Sequence, residues 1–159
     1  MTDSFTVEKV SPKNFELLLG LIVALAEFEE LAPPDIEART RLRKDCFSEN
    51  PRFESFLGYK DGKAVSYVII FETYSSFLAK PTLYLEDLFV LPEYRKSGVG
   101  YRFFQFVARL AVERGCGRME WQVLDWNENA IKFYDRLGAT HLKGWYPYRL
   151  TEDELQKIL

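Results

Sequence analysis

The chain predicts a mixed α/β domain whose central sheet is mostly antiparallel, contains one parallel pair and is flanked by helices. Three observations predict it. Lys60-Asp61-Gly62-Lys63 joins two strand-like segments, Phe53–Tyr59 and Ala64–Tyr74, and Asp-Gly accepts the φ values of a type I′ hairpin turn. Leu83–Gly100, LYLEDLFVLPEYRKSGVG, runs from an extended apolar stretch through a glycine-bearing loop into an amphipathic segment. That segment has the length of a crossover helix and separates Thr82–Val90 from another strand-like run, Met119–Leu124, so these two strands should lie parallel.

The elements follow in order. Phe5–Val10 alternates and reads as a first strand. Ser11-Pro12 offers a cap hydroxyl and a first-turn proline for a helix running to about Glu30, with Phe15, Leu18, Leu19, Ile22, Leu25 and Ala26 as its apolar stripe. Pro33-Pro34 breaks the chain, and Asp35 caps a second helix to about Ser48 that turns Ile36, Leu42 and Cys46 inward. Ser75–Pro81 is a loop bearing Phe77. The helix from Gly98 to Arg114 has an apolar side of Phe103, Val107, Leu110 and Ala111 and stops at Gly115. Ala130–Leu137 is a short helix closed by Gly138. Ala139–Leu142 and Trp145–Leu150 read as short strands, and Thr151-x-x-Glu154 as a capping box for a last turn.

With 159 residues the expectation is one domain, 1–159, with a core of its own. A net charge of −3 gives no broad basic excess, which argues against nucleic-acid binding and is compatible with a cationic substrate. Cys46 and Cys116 form no CxxC motif and read as buried free thiols. No secretory apolar region opens the chain, and Leu17–Ala26 is too short and punctuated to span a membrane. A soluble cytoplasmic protein without a membrane partner is expected.

Loop amides and the first amides of a helix have no intrahelical partners, so Arg95–Gly100 can hold an anion, with Arg95 adding charge-assisted hydrogen bonds. The spacing is neither a Rossmann nor a Walker pattern. A turn that merely needed glycine is the bland alternative. The shortness of the loop suits a diphosphate better than a triphosphate with its magnesium.

Arg95-x-x-Gly98-x-Gly100, preceded by Leu83-Tyr-Leu-Glu-Asp-Leu-Phe-Val and followed by Trp126-Asn-Glu-Asn-Ala-Ile-Lys-Phe-Tyr134-x-Arg-x-Gly-Ala139, resembles the GCN5-related N-acetyltransferase (GNAT) superfamily. Within it the chain is most similar to the diamine, or spermidine/spermine N1-acetyltransferase, group. The resemblance implies a GNAT-type fold in which the two parallel strands splay, often beside a bulge in the first of them. It implies acetyl-CoA as donor, direct transfer to an amine in a ternary complex, and a homodimer. Leu88, Phe89 and Val90 would then hold the pantetheine arm, and Arg95, Lys96, Ser97, Gly98, Val99 and Gly100 the pyrophosphate.

An amine attacks a thioester only when neutral, yet a primary alkylamine, of pKa about 10, is mostly protonated at pH 7. The site must therefore accept a proton and return one to the leaving thiolate. The resemblance makes Tyr134 the acid; on residue pattern alone it is an ordinary core tyrosine. Glu86 is the base candidate, acting through a water and orienting the amine, because a carboxylate inside an apolar strand is costly unless used. Asp87 points to the opposite face unless a bulge intervenes. Asn127 reads equally as a helix cap or a ligand of the cofactor arm. Arg136 reads as a surface residue or a donor-side contact. His141, the only histidine, lies outside the site, and no His/Cys cluster exists for a metal.

Glu27, Glu29 and Glu30 oppose the macrodipole at a helix C-terminus and form either a solvated face or an acidic rim for a cationic amine. The diamine group has an acidic, aromatic turn before the central strand; here Ser75-Ser76-Phe77 keeps only the aromatic. Polyamines, short diamines and thialysine-like amines are all acceptable substrates on this reading. The alternatives are a protein or peptide N-acetyltransferase and a non-catalytic CoA-binding domain. The aromatic tail Trp145-Tyr-Pro-Tyr148 suits either an interface strand or burial in its own chain.

Overall fold

The computed structural model describes residues 4–159. The chain divides into two compact units, Met1–Gln122 and Val123–Leu159. The first unit holds a five-stranded sheet in the order β1-β2-β3-β4-β5, formed by Phe5–Lys9, Glu54–Lys60, Lys63–Ser75, Lys80–Val90 and Arg118–Glu120. Every neighbouring pair is antiparallel except β4–β5, which is parallel as expected. The β2–β3 hairpin turns at Asp61 and Gly62, with φ of 50° and 79°, the left-handed pair that Asp-Gly accepts.

Three helices of this unit flank the sheet: α1 (Phe15–Phe28), α2 (Ile36–Cys46) and α3 (Val99–Glu113). Side chains alternate along each strand, so the sheet feeds two cores. Leu57, Tyr67, Ile69 and Phe89 pack with Phe15, Leu18, Leu19 and Leu21 of α1. Val68, Ile70, Leu83 and Leu85 pack with Phe103, Val107 and Ala111 of α3. The end of α3 is tied to β1 and β2 through Glu54, which accepts from Arg114 Nη1 at 2.7 Å and from Lys9 Nζ at 2.8 Å.

Local chemistry moves several boundaries. α1 starts at Phe15, not at Ser11-Pro12; Ser11–Asn14 forms a separate turn ahead of it, in which the Asn14 N–H donates to Ser11 O at 3.2 Å and Asn14 Oδ1 accepts from the Ser11 N–H at 2.7 Å. Asp35 does cap α2, accepting from the Ala38 N–H at 2.8 Å. Ile36 does not face inward; it is 82% exposed on the first turn, and only Leu42 and Cys46 of the expected three pack against the α1-side core. Both cysteines are half-buried rather than fully buried. β5 is three residues long where Met119–Leu124 was expected, and it pairs only with Thr82–Tyr84.

In the second unit, Asn127 Oδ1 accepts from the Ala130 N–H at 3.2 Å and caps α4 (Glu128–Arg136). Glu154 takes the Thr151 N–H at 2.7 Å and its hydroxyl at 2.9 Å, opening α5 (Glu152–Gln156) as the capping-box pattern predicts. Ala139–Leu142 and Trp145–Leu150 are not strands. Among the described residues this unit contains no strand to pair with them, and an extended segment without a partner forms no ladder. Trp145, Tyr146 and Tyr148 are exposed. Among the described residues no helix is long and apolar enough to cross a membrane.

Candidate active site

The loop after β4 is shaped by two left-handed residues, Lys96 at φ 63° and Gly98 at φ 83°. A short 3₁₀ turn, Pro92–Tyr94, precedes them, and the Ser97 hydroxyl donates to Tyr94 O at 2.6 Å. As the first residues of α3, Val99 and Gly100 have no intrahelical carbonyl for their N–H groups. Amides of this kind can serve an anion at the start of a helix. Only glycine adopts the Gly98 conformation without cost. Gly98→Ala should lower the thermal midpoint by an amount equivalent to about 1 kcal/mol; a melting curve measures it.

Arg95 does not aim freely at the loop. Its Nε donates to Val90 O at 3.0 Å, and its guanidinium lies 4.3 Å from the centre of the Phe28 ring at the end of α1. Burial lowers its pKa. The residue pins the end of β4 to α1. Beyond Tyr84 the far edge of β4 has no strand partner among the described residues, so Leu85–Val90 offer backbone groups to an extended ligand. Phe89 is buried there, and Leu88 and Val90 are half-buried.

A bulge decides where the two acidic residues of β4 point. Ile70 pairs with Leu85 and Ile69 with Asp87, leaving Glu86 without a partner. Leu83 and Leu85 face α3, and without the extra residue Asp87 would follow them. The bulge reverses the alternation, so Asp87 faces the α1–α2 side with Ile69 and Tyr67. The bulge on which the expectation was conditioned is present, so the opposite-face arrangement does not hold: Glu86 and Asp87 line one cleft of about 730 Å³. Ile22, Leu42, Phe53, Ile69 and Phe71 supply its apolar wall, and Arg52 borders it.

The Tyr67 hydroxyl, on a fully buried side chain, donates to Asp87 Oδ2 at 3.1 Å. Burial raises the Asp87 carboxyl to about 6, against the hydrogen bond from Tyr67; the charges of Glu86 and Glu29 raise it further. Burial and the Asp87 charge push the Tyr67 phenol well up. Burial also raises Glu29, which sits half-buried at the end of α1. Asp87 and Glu86 thus meet an apolar wall, with the charge of Glu29 felt at Asp87, an arrangement suited to an alkylammonium group.

The remaining expected residues are placed as follows. Glu86 is exposed at its bulge, as are Glu27 and Glu30 beside Glu29. Phe77 is fully exposed at the tip of the β3–β4 hairpin and does not line the cleft. In the second unit Tyr134 is partly buried on α4, and desolvation raises its phenol to about 12. Asn127 spends its side-chain oxygen on the α4 cap, and Arg136 is exposed in the last turn. Sequence reasoning missed Tyr67 and Arg52. A polar hydroxyl in the apolar run Val65–Ile70 was the available signal for Tyr67; nothing in the pattern marked Arg52. Among the described residues no three His, Cys, Asp or Glu side chains gather for a metal.

A strand edge released from its partner, a helix start behind a glycine turn and an acidic cleft beside them are features that a transferase fold can use to hold a donor and an acceptor. The profile of the acetyltransferase (GNAT) family matches residues 22–139. The chain belongs to that family and is an acetyl-CoA-dependent amine N-acetyltransferase, as its resemblance to the diamine group implied. It is 31% identical over 158 residues to a thialysine N-ε-acetyltransferase of Caenorhabditis elegans, covering 98% of this chain and 97% of that one. It is 46% identical over 112 residues to an L-ornithine N5-acetyltransferase of Arabidopsis thaliana, covering 69% of this chain and 49% of the relative, about half of that protein's length. An integron cassette protein from the mobile metagenome of V. cholerae shares the fold, with a TM-score of 0.82 at 21% identity over 98% of this chain and 97% of the other.

Proposed function

We propose that the chain transfers an acetyl group from acetyl-CoA to a primary amine of a small diamine, polyamine or lysine-like acceptor, by direct attack in a ternary complex. The observation that carries this reading is the bulge that turns Glu86 and Asp87 into one apolar-walled cleft. Both units form one acetyltransferase domain on this reading, in keeping with a family match that runs across 22–139.

Acetyl-CoA supplies the thioester carbonyl. The amides of Lys96–Gly100 hold the diphosphate, and the unpaired edge of Leu88–Val90 orients the pantetheine arm. Glu86, Asp87 and Glu29 draw in the ammonium group, with Glu27 and Glu30 adding charge at the rim. Glu86 accepts the amine proton through a water. The Asp87 carboxyl, ionised above about 6, holds the ammonium group beside Glu86 by charge. The Tyr134 phenol, at about 12, stays protonated at neutral pH and donates to the departing sulfur. Asn127 and Arg136 contact the donor, and Phe77 the acceptor. The protein works as a cytoplasmic homodimer on free small molecules.

Thiol release from acetyl-CoA, followed with spermidine, thialysine, L-ornithine, short diamines and a lysine peptide, tests the reading. Turnover is expected on free amines and not on the peptide. Turnover confined to the peptide would move the acceptor to protein, and CoA binding without turnover on any amine would leave a binding domain.

A further inference from the structure

We infer that Tyr67 is a positioning residue for the acceptor: its hydroxyl holds Asp87 Oδ2 from the core side of the cleft and turns the other carboxylate oxygen towards the amine. The inference rests on the proposed amine acetylation and adds to it a residue that acts without touching the substrate. The Tyr67 side chain is fully buried, yet its hydroxyl donates to Asp87 Oδ2 at 3.1 Å, and Asp87 itself lines the cleft. Sheet register makes this contact. Ile69 lies opposite Asp87 and Tyr67 lies opposite Phe89, so Tyr67 is the diagonal neighbour of Asp87 on the same face. A phenol spans the roughly 7–8 Å between such neighbours. Without the β4 bulge Asp87 would point towards α3, and the hydroxyl would be left among the apolar side chains of its core, such as Phe15, Leu18 and Leu57.

A phenylalanine would fill that space with no buried polar group to satisfy, so packing alone does not call for the oxygen. The oxygen acts on the charge of Asp87. Burial raises that carboxyl to about 6, the Tyr67 hydrogen bond opposes the rise, and the charges of Glu86 on β4 and Glu29 at the end of α1 add to it. Glu27 and Glu30 stand exposed beside Glu29. Cations on the neighbouring elements include Arg52 at the cleft border and Arg39 on α2, whose Nε donates to Pro34 O at 2.8 Å. Arg95 covers the Phe28 and Phe89 rings. Tyr67 is thus the buried neighbour whose hydrogen bond favours the ionised form that an ammonium group needs. Burial and the Asp87 charge push its phenol well up, so it remains a donor throughout the working pH range.

The test measures kcat/KM of the wild type and of Tyr67→Phe from about pH 5.5 to pH 8.5, with an amine that the wild type turns over. The ratio of the two cancels the titration of the amine itself. Loss of the hydrogen bond should move the limb near pH 6 upward by roughly one unit, so the variant should be slower by roughly tenfold at pH 5.5 and by much less at pH 8.5. The deficit that remains at pH 8.5 should lie in KM for the amine, with KM for acetyl-CoA unchanged. In an Asp87→Asn background, Tyr67→Phe should change the rate by no more than roughly twofold at any pH. A deficit equal at every pH, or one of the same size in the Asp87→Asn background, would overturn the inference and leave Tyr67 as core packing. Carboxyl-carbon NMR titration of the two folded proteins reads the Asp87 midpoint without turnover. A midpoint raised in Tyr67→Phe supports the inference, and an unmoved one refutes it. No turnover by the wild type with any amine would instead sink the proposed function.

Discussion

Tyr134→Phe is expected to bind CoA as tightly as the wild-type chain and to turn over more slowly by roughly 10²–10⁴-fold, the range for a positioned proton donor. The substitution removes one oxygen from a ring that is already partly buried, so folding should be unaffected. Desolvation holds the phenol at about 12, and below that pH it carries the proton that an expelled thiolate needs. The loss should fall on kcat, with KM for acetyl-CoA unchanged, because the donor interaction grows only as charge develops on sulfur. Replacing the thioester with one whose thiol is more acidic should recover part of the rate. Near-wild-type turnover with CoA seated normally would remove Tyr134 from the chemistry.

Asp87→Asn should lose activity and gain stability, the second effect depending on pH. The folded carboxyl titrates at about 6, above its ordinary value of 3.8. Its contribution to stability is therefore fully present below the unfolded value and is lost as pH rises through about 6. Above that, burying the carboxylate costs on the order of 1–3 kcal/mol, the lower end applying because part of the side chain keeps solvent. An asparagine at this position still accepts from the Tyr67 hydroxyl and carries no charge. Its thermal midpoint should exceed the wild type's at pH 8, and the two should converge towards pH 4. Wild-type kcat/KM should rise with a limb near pH 6 as the carboxyl ionises, and the variant should lack that limb and run roughly 10²-fold slower. Equal midpoints at both pH values would show that Asp87 is not held in a desolvated environment.

Much of this architecture was legible in the chain because it rests on local rules. Asp61-Gly62 had to turn in the left-handed region, and Gly98 had to do so ahead of α3. Asp35, Asn127 and the Thr151–Glu154 pair cap where short polar side chains reach nearby amides. The misreadings occurred where two local rules competed. Ser11-Pro12 satisfied a helix-start pattern, but Ser11–Asn14 closes as a turn of its own and the helix begins after it. Trp145–Leu150 satisfied a strand pattern, yet a strand exists only if another lies beside it. Ile36 satisfied an inward spacing on a helix that only partly buries its inward residues Leu42 and Cys46.

Residue order alone placed the glycine turn and helix start after β4 and an acidic couple within the same strand, since each depends on neighbours a few positions away. It did not decide which way the couple points. That depends on Glu86 falling out of register against Ile69 and Ile70, a single unpaired residue that reverses the phase of everything after it. Only the assembled sheet put Asp87 over Tyr67 rather than under α3, and only the packing of α2 and its following loop brought Arg52 to the same cleft. Alternation along a strand is a local property, whereas the register that sets its phase is chosen by the partner strand.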